Sequence, residues 1–153
     1  MFAADKGQLA DSADLAAQAL AIAGLEGISL LGGEPTEQAE ALADFCERVR
    51  EGGLSVMLYS GYRLDELRAR PGTSRLLAAV DLLVDGRYEQ SLPERRRRWL
   101  GSSNQQLHFL TPRYAAEDPR FATGNTVELR LTREGLSVNG WPASADAVRR
   151  AGR

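Results

Sequence analysis

Three short runs of the chain are apolar almost without interruption: Ile28-Ser29-Leu30-Leu31, Val56-Met57-Leu58-Tyr59 and Val80 to Val84. Apart from Ser29 and Asp81 they do not alternate with polar residues. That is the pattern of strands buried on both faces, as in a parallel sheet covered by helices. Helical patterns lie between them. Asp11 or Ser12 can cap a helix running to about Ala23, with Gly24 as its stop. Leu42, Phe45, Cys46 and Val49 then make an i, i+3, i+4, i+7 stripe that ends at Gly52-Gly53. A third helical pattern covers Leu64 to Ala69, breaks at Pro71-Gly72 and resumes from Ser74 to Ala79. The order αβαβαβ predicts an α/β fold with right-handed crossovers and helices packed on a parallel sheet.

After Asp85-Gly86 the texture changes. Residues 87–125 are polar and irregular, with an arginine run and little periodicity. Thr126 to Leu131 and Leu136 to Asn139 read as a terminal β-hairpin around Arg133-Glu134-Gly135. The small, charged tail from Ala143 to Arg153 is expected to fray. The chain opens on a helix, whereas an α/β sheet normally opens on a strand. The first strand is therefore expected to be edge-exposed and prone to self-association, or to lack an element encoded upstream.

Length and composition narrow the class. With 153 residues, 43% of them hydrophobic and 26% charged, the chain fits one ordinary globular domain, here residues 1–142. A net charge of −2 argues against a general nucleic-acid binder. The Ala-rich segment from Leu15 to Leu25 is too short to span a membrane and lacks a basic flank, which argues against a membrane role. Cys46 is the one cysteine, so an internal disulfide is impossible and the cytoplasm is the default compartment.

Ligands of parallel α/β folds bind at the carboxyl ends of the strands. Here those ends are Gly32-Gly33-Glu34-Pro35, Ser60-Gly61-Tyr62 and Asp85-Gly86-Arg87-Tyr88. The first reads equally well as a glycine-rich turn whose Glu34 complements a helix dipole. In combination the loops say more. Gly32-Gly33-Glu34-Pro35 resembles the motif by which radical S-adenosylmethionine (SAM) enzymes bind the methionine amino group of SAM. Leu58-Tyr59-Ser60-Gly61-Tyr62 with Asp65-Glu66-Leu67, then Asp81 to Tyr88, then Trp99-Leu100-Gly101-Ser102-Ser103-Asn104-Gln105, are similar to successive segments of the anaerobic ribonucleotide reductase activating proteins. Asn139-Gly140-Trp141-Pro142 closes the series in the right order.

The resemblance implies an incomplete radical-SAM-type (β/α) partial barrel lacking its first strand, with a C-terminal hairpin. It implies an activase that uses SAM and a 4Fe–4S cluster, fed by an external electron donor, to place a glycyl radical on a partner such as an anaerobic ribonucleotide reductase. Gly32, Gly33 and Glu34 would hold the methionine end, Ser60 and Asp85 the ribose or carboxylate side. The loop with Ser102 and Asn104 would face the adenosyl group or the partner. One departure is large. The family's Cys-x3-Cys-x2-Cys loop, whose thiolates hold the cluster, has no counterpart in this chain, and Cys46 lies on an apolar helical stripe. The loop and its strand are expected in frame upstream of Met1. Two rival readings are a cluster-free binding protein on the same fold and an unrelated flavodoxin-like or nucleotide-binding domain. Arg95 to Arg98 reads first as a solvated run and second as a dock for an acidic patch. His108, beside Phe109 and Leu110, reads as a packed side chain.

Overall fold

The computed structural model describes residues 9–122, together with the backbone course of strands 127–132 and 135–140. Helix α1 (Ser12–Leu20) starts where the sequence predicts: the Asp11 carboxylate accepts from the backbone N–H groups of Ala13, at 2.8 Å, and Asp14, at 3.2 Å. Such a cap stabilises a helix by about 1 kcal/mol. The helix ends three residues before Ala23. Strand β1 (Gly27–Leu30) follows, then a 3₁₀ turn (Pro35–Gln38), helix α2 (Ala39–Glu51), β2 (Ser55–Tyr59), helices α3 (Leu64–Ala69) and α4 (Thr73–Ala78), and β3 (Leu82–Asp85).

Strands β1, β2 and β3 are parallel, in register Leu30 opposite Leu58 and Tyr59 opposite Val84. Gly27 faces Ser55 so closely that a Cβ there would lie 2.7 Å from the Ser55 carbonyl oxygen, which only glycine avoids. The stretch after Asp85 is less irregular than its sequence suggests. Gln106–Phe109 forms β4, which closes the sheet antiparallel to β3, with His108 opposite Leu83. Its side chains are mixed and only half-buried, so periodicity did not mark it. A short helix α5 (Pro119–Ala122) and the hairpin β5 (Val127–Thr132) and β6 (Gly135–Gly140) complete the described elements. The expected frayed tail, residues 143–153, lies outside the described residues.

Among the described strands the order β1-β2-β3-β4 leaves β1 on an edge, which fits either of the two expectations for it. Side chains alternate between two cores. Val56, Leu58 and Leu83 pack with Ala43, Cys46 and Val49 of α2, Leu67 of α3 and Leu76 of α4. Met57, Leu82 and Val84 point the other way, onto Leu100, Trp99, Tyr114 and Phe121. Each fully buried leucine among these contributes about 1.5–3 kcal/mol. Helices α1 to α4 thus cover one face, and an irregular cover from residues 99–121 closes the other. A doubly wound sheet of flavodoxin type carries helices on both faces, so this arrangement disfavours that rival. The described architecture is an open four-stranded α/β sheet. Among the described residues no helix is long and apolar enough to cross a membrane.

Candidate functional site

The carboxyl ends of β1, β2 and β3 form one ledge, because each loop is tied to the next by a polar side chain. Glu34 begins the series. Its carboxylate accepts from Thr36 N–H (3.2 Å) and the Thr36 hydroxyl (2.6 Å) in its own turn, then from the Ser60 hydroxyl (2.9 Å) and Gly61 N–H (2.8 Å) in the next loop. Ser60 is buried, and its oxygen also accepts from Tyr62 N–H at 3.1 Å. The second loop meets the third twice. Asp85 accepts from Leu64 N–H, at the start of α3, at 2.7 Å, and Gly86 N–H donates to the Tyr62 carbonyl at 3.2 Å. The Gln105 amide then donates to the Gly86 carbonyl at 2.9 Å while its own oxygen accepts from Gly101 and Ser102 N–H. Asn104 donates to the Arg87 carbonyl at 2.7 Å.

Two features of the ledge bear on ligand binding, one exposed and one buried. Gly32 and Gly33 both sit at positive φ, +86° and +53°, with no atom within 4 Å of where a Cβ would stand. Their peptide groups are exposed at the strand end, in a conformation that disfavours other residues. The second feature surrounds β3. Among the described residues, the buried side-chain atoms without a hydrogen-bond partner are Asp85 Oδ1, Asn104 Oδ1 and His108 Nε2. All three belong to residues grouped about the end of β3. The His108 Nε2 atom lies 2.9 Å from Asp85 Oδ2, close enough for an ion pair but out of line for a hydrogen bond. Buried acceptors left unpaired cost free energy unless a ligand or water satisfies them.

The predicted site residues therefore divide by role. Glu34 and Ser60 meet directly and join two loops. Asp85 and Asn104 each keep one oxygen unpaired. Ser102 is fully buried and accepts from Glu89 N–H at 3.1 Å, which closes the loop before it. His108 was read only as packing, and its position beside Asp85 is visible only once β4 is paired. Trp99 opens the segment whose sequence resembles the family, without a role of its own in that reading. It holds φ at +67°, uncommon for a bulky residue, and its carbonyl accepts from the Tyr59 hydroxyl at 3.0 Å. Its ring stacks edge-on against Phe121 at 5.0 Å.

The arginine run is not one solvated face. Glu94 is buried, and its carboxylate accepts from the backbone N–H groups of Arg95, Arg96 and Arg97 and from Arg97 Nε at 2.5 Å. Burial alone would raise its pKa, but these donors outweigh it and hold the carboxyl at about 2. Arg97 also donates to the Gln105 and Ser103 carbonyls, and Arg98 lies over the Trp99 ring at 4.5 Å.

A cluster held by three thiolates finds no cradle in this chain. Cys46 is its one cysteine, and it is fully buried in the core beneath α2. Burial, only partly countered by Arg50, pushes its thiol up to about 12, far from a ligating thiolate. Among the described residues no group of three His, Cys, Asp or Glu side chains could hold a metal ion.

Comparison with known proteins agrees with the resemblance drawn from the loops. The anaerobic ribonucleoside-triphosphate reductase-activating protein of Escherichia coli K12 is 35% identical over 89 residues, 56% of each chain. The protein of the same name from Vibrio cholerae is 35% identical over the same shares, and that of Enterobacteria phage T4 is 29% identical over 54% of this chain and 53% of its own. The chain spans about half the length of the curated relatives it matches. No solved structure matches it. The sequence model of the 4Fe-4S single cluster domain covers residues 3–108, more than half of the chain, and the chain belongs to that family.

Proposed function

We propose that this chain carries the SAM-holding and partner-facing part of an activase for a glycyl-radical enzyme of the anaerobic ribonucleotide reductase type. The observation that carries the reading is the ledge: the three motifs expected to hold SAM are joined by side-chain hydrogen bonds at the strand ends, where α/β folds bind ligands. The names of the relatives support the partner class.

The residues present suit SAM. An ammonium group and ribose hydroxyls are hydrogen-bond donors; the exposed peptide groups of Gly32 and Gly33 offer carbonyl acceptors at the strand ends, and Asn104 Oδ1 and Asp85 Oδ1 are unpaired acceptors buried beside them. When bound, SAM would supply the 5′-deoxyadenosyl group. Glu34 acts by position, since its carboxylate already receives four donors and sets the distance between the first two loops. Gln105 and Asn104 hold the fourth loop over Gly86. Such cross-bracing keeps the acceptors preorganised.

The cluster does not suit the residues present, and no step of electron transfer is assigned to this chain. That same observation, a single thiol raised to about 12, favours a second reading: a cluster-free member of the family that acts by binding SAM and its partner.

Calorimetry on the chain tests the first part. SAM should bind weakly, with a dissociation constant on the order of 0.1–1 mM. Glu34→Ala should weaken binding at least about tenfold by letting the loops part. Absence of SAM binding at millimolar concentration would overturn the reading. Anaerobic iron and sulfide should leave the chain without bound iron, and a brown protein would overturn the fit of thiols argued above.

A further inference from the structure

We infer that the exposed surface of residues 87–96, with Arg95 and Arg96 as its charges and Tyr88 and Leu92 as its apolar contacts, docks an acidic segment of a partner protein. The chain as a whole carries a net charge of −2, yet between Arg87 and Arg98 five arginines stand against two glutamates. One of those glutamates, Glu94, is turned inward and spends its carboxylate on the backbone of the run. Arg97 is exposed, but its guanidinium is spent on Glu94 and on the Gln105 and Ser103 carbonyls. Arg95 and Arg96 are left exposed, and neither guanidinium has a partner among the described residues. Two unneutralised cations on a fixed turn are a complement for carboxylates, and they steer association more than they stabilise the fold.

Apolar exposure on the same loop is a second, independent sign. Tyr88 is 60% exposed and Leu92 42% exposed, on a segment whose backbone is firmly held. The Ser103 N–H donates to the Leu92 carbonyl at 2.7 Å, Pro93 bridges to Ser102, and Glu94 N–H donates to the Gly101 carbonyl at 3.2 Å. A rigid loop loses little entropy when it binds. Its place also suits the role, because Asn104 fastens Arg87 to the ledge at the end of β3. An acidic segment seated here would lie beside the candidate SAM site. Identifying that segment with the glycyl-radical enzyme rests on the proposed function; the surface itself does not.

The test is the double charge reversal Arg95→Glu/Arg96→Glu in the full chain. Both residues give the turn only their backbone N–H groups, so the fold should persist. The control is Arg48→Glu/Arg68→Glu, which changes net charge equally at two exposed arginines elsewhere. Two probes are used, an anaerobic ribonucleotide reductase and a synthetic peptide of glutamates and leucines. The expected result is reductase binding that the first variant weakens at least about tenfold, that salt weakens too, and that the control leaves within about twofold. SAM affinity should not change. Equal reductase affinity in the first variant and the wild type, or equal loss in the control, overturns the surface while leaving the activase reading standing. Binding of the peptide alone, lost on reversal, supports the surface and overturns that choice of partner. Binding of neither probe overturns both.

Discussion

Asp81 and Asp85 stand four residues apart at the two ends of the third parallel strand, and both are essentially buried, at 0% and 2% exposure. Their surroundings differ. Asp81 is saturated: one oxygen accepts from Val56 N–H at 2.9 Å, the other from the Thr111 hydroxyl at 2.5 Å, and Arg50 lies 3.6 Å away. It joins β2, β3 and the turn after β4 at the amino end of the sheet. Asp85 at the carboxyl end holds Leu64 N–H with one oxygen and nothing with the other, while His108 stands beside it out of line. The contrast matches the general division of labour in α/β folds, where the amino ends of strands serve stability and the carboxyl ends serve ligands. A carboxylate whose lone pairs are all used is structural. One that keeps a buried oxygen unpaired is held ready for something else.

Removing both side chains is the strongest way to break that comparison. Asp81→Ala strands a backbone donor, a hydroxyl and a guanidinium together, and should destabilise the protein by about 3–5 kcal/mol. Asp85→Ala loses chiefly a helix cap and should cost about 1 kcal/mol. Urea unfolding measures both, and equal losses would show that the two carboxylates do the same work. Binding should invert the order. Asp85→Ala is expected to weaken SAM at least about tenfold by calorimetry, whereas Asp81→Ala, measured where it is still folded, should leave SAM affinity within about twofold. A variant of Asp85 that binds SAM as the wild type does would remove the acid from the site.

Glu94 gives the smallest effect and the sharpest check of the rule. It sits on the ligand side of the sheet, yet its carboxylate is saturated like that of Asp81, so it should behave as structure. Its pKa is about 2 in the folded chain against 4.5 ordinarily. The folded value is the lower one, so its stabilising contribution is complete above about pH 4.5 and is lost as pH falls toward 2. Between pH 5 and pH 2.5 the urea midpoint of the wild type should fall more than that of Glu94→Gln, with SAM affinity at neutral pH unchanged. Parallel pH profiles would mean that the backbone donors around Glu94 do not act on it in solution.

Much of this was legible along the chain. The unbroken apolar runs marked β2 and β3 because a strand covered on both faces has no reason to alternate. Asp11 marked the first cap, and the stripe through Cys46 correctly announced a buried thiol. β4 was not legible: Gln106-Leu107-His108-Phe109 is a half-exposed edge strand whose pattern says little by itself. With β4 unseen, His108 could not be set beside Asp85. The arginine run misled for a different reason. Composition treats four arginines alike, whereas the turn nucleated by Glu94 ties down the Arg97 guanidinium and leaves those of Arg95 and Arg96 unspent.

By itself, then, the sequence determined the order of elements as far as β3, the adjacent glycines that follow β1, the family to which the loops belong and the single thiol. These depend on local backbone preference, on hydrophobic period and on composition, which one strand of text contains in full. Only the tertiary structure decided what each polar side chain does. Glu34 meets Ser60 across 26 positions, and Asp85 meets Leu64 across 21. Those meetings depend on strand register and on helices packing to one face, and neither is written at any single position. A carboxylate looks the same in a sequence whether its oxygens are spent or free, because the spending is done by donors that only folding brings within about 3 Å.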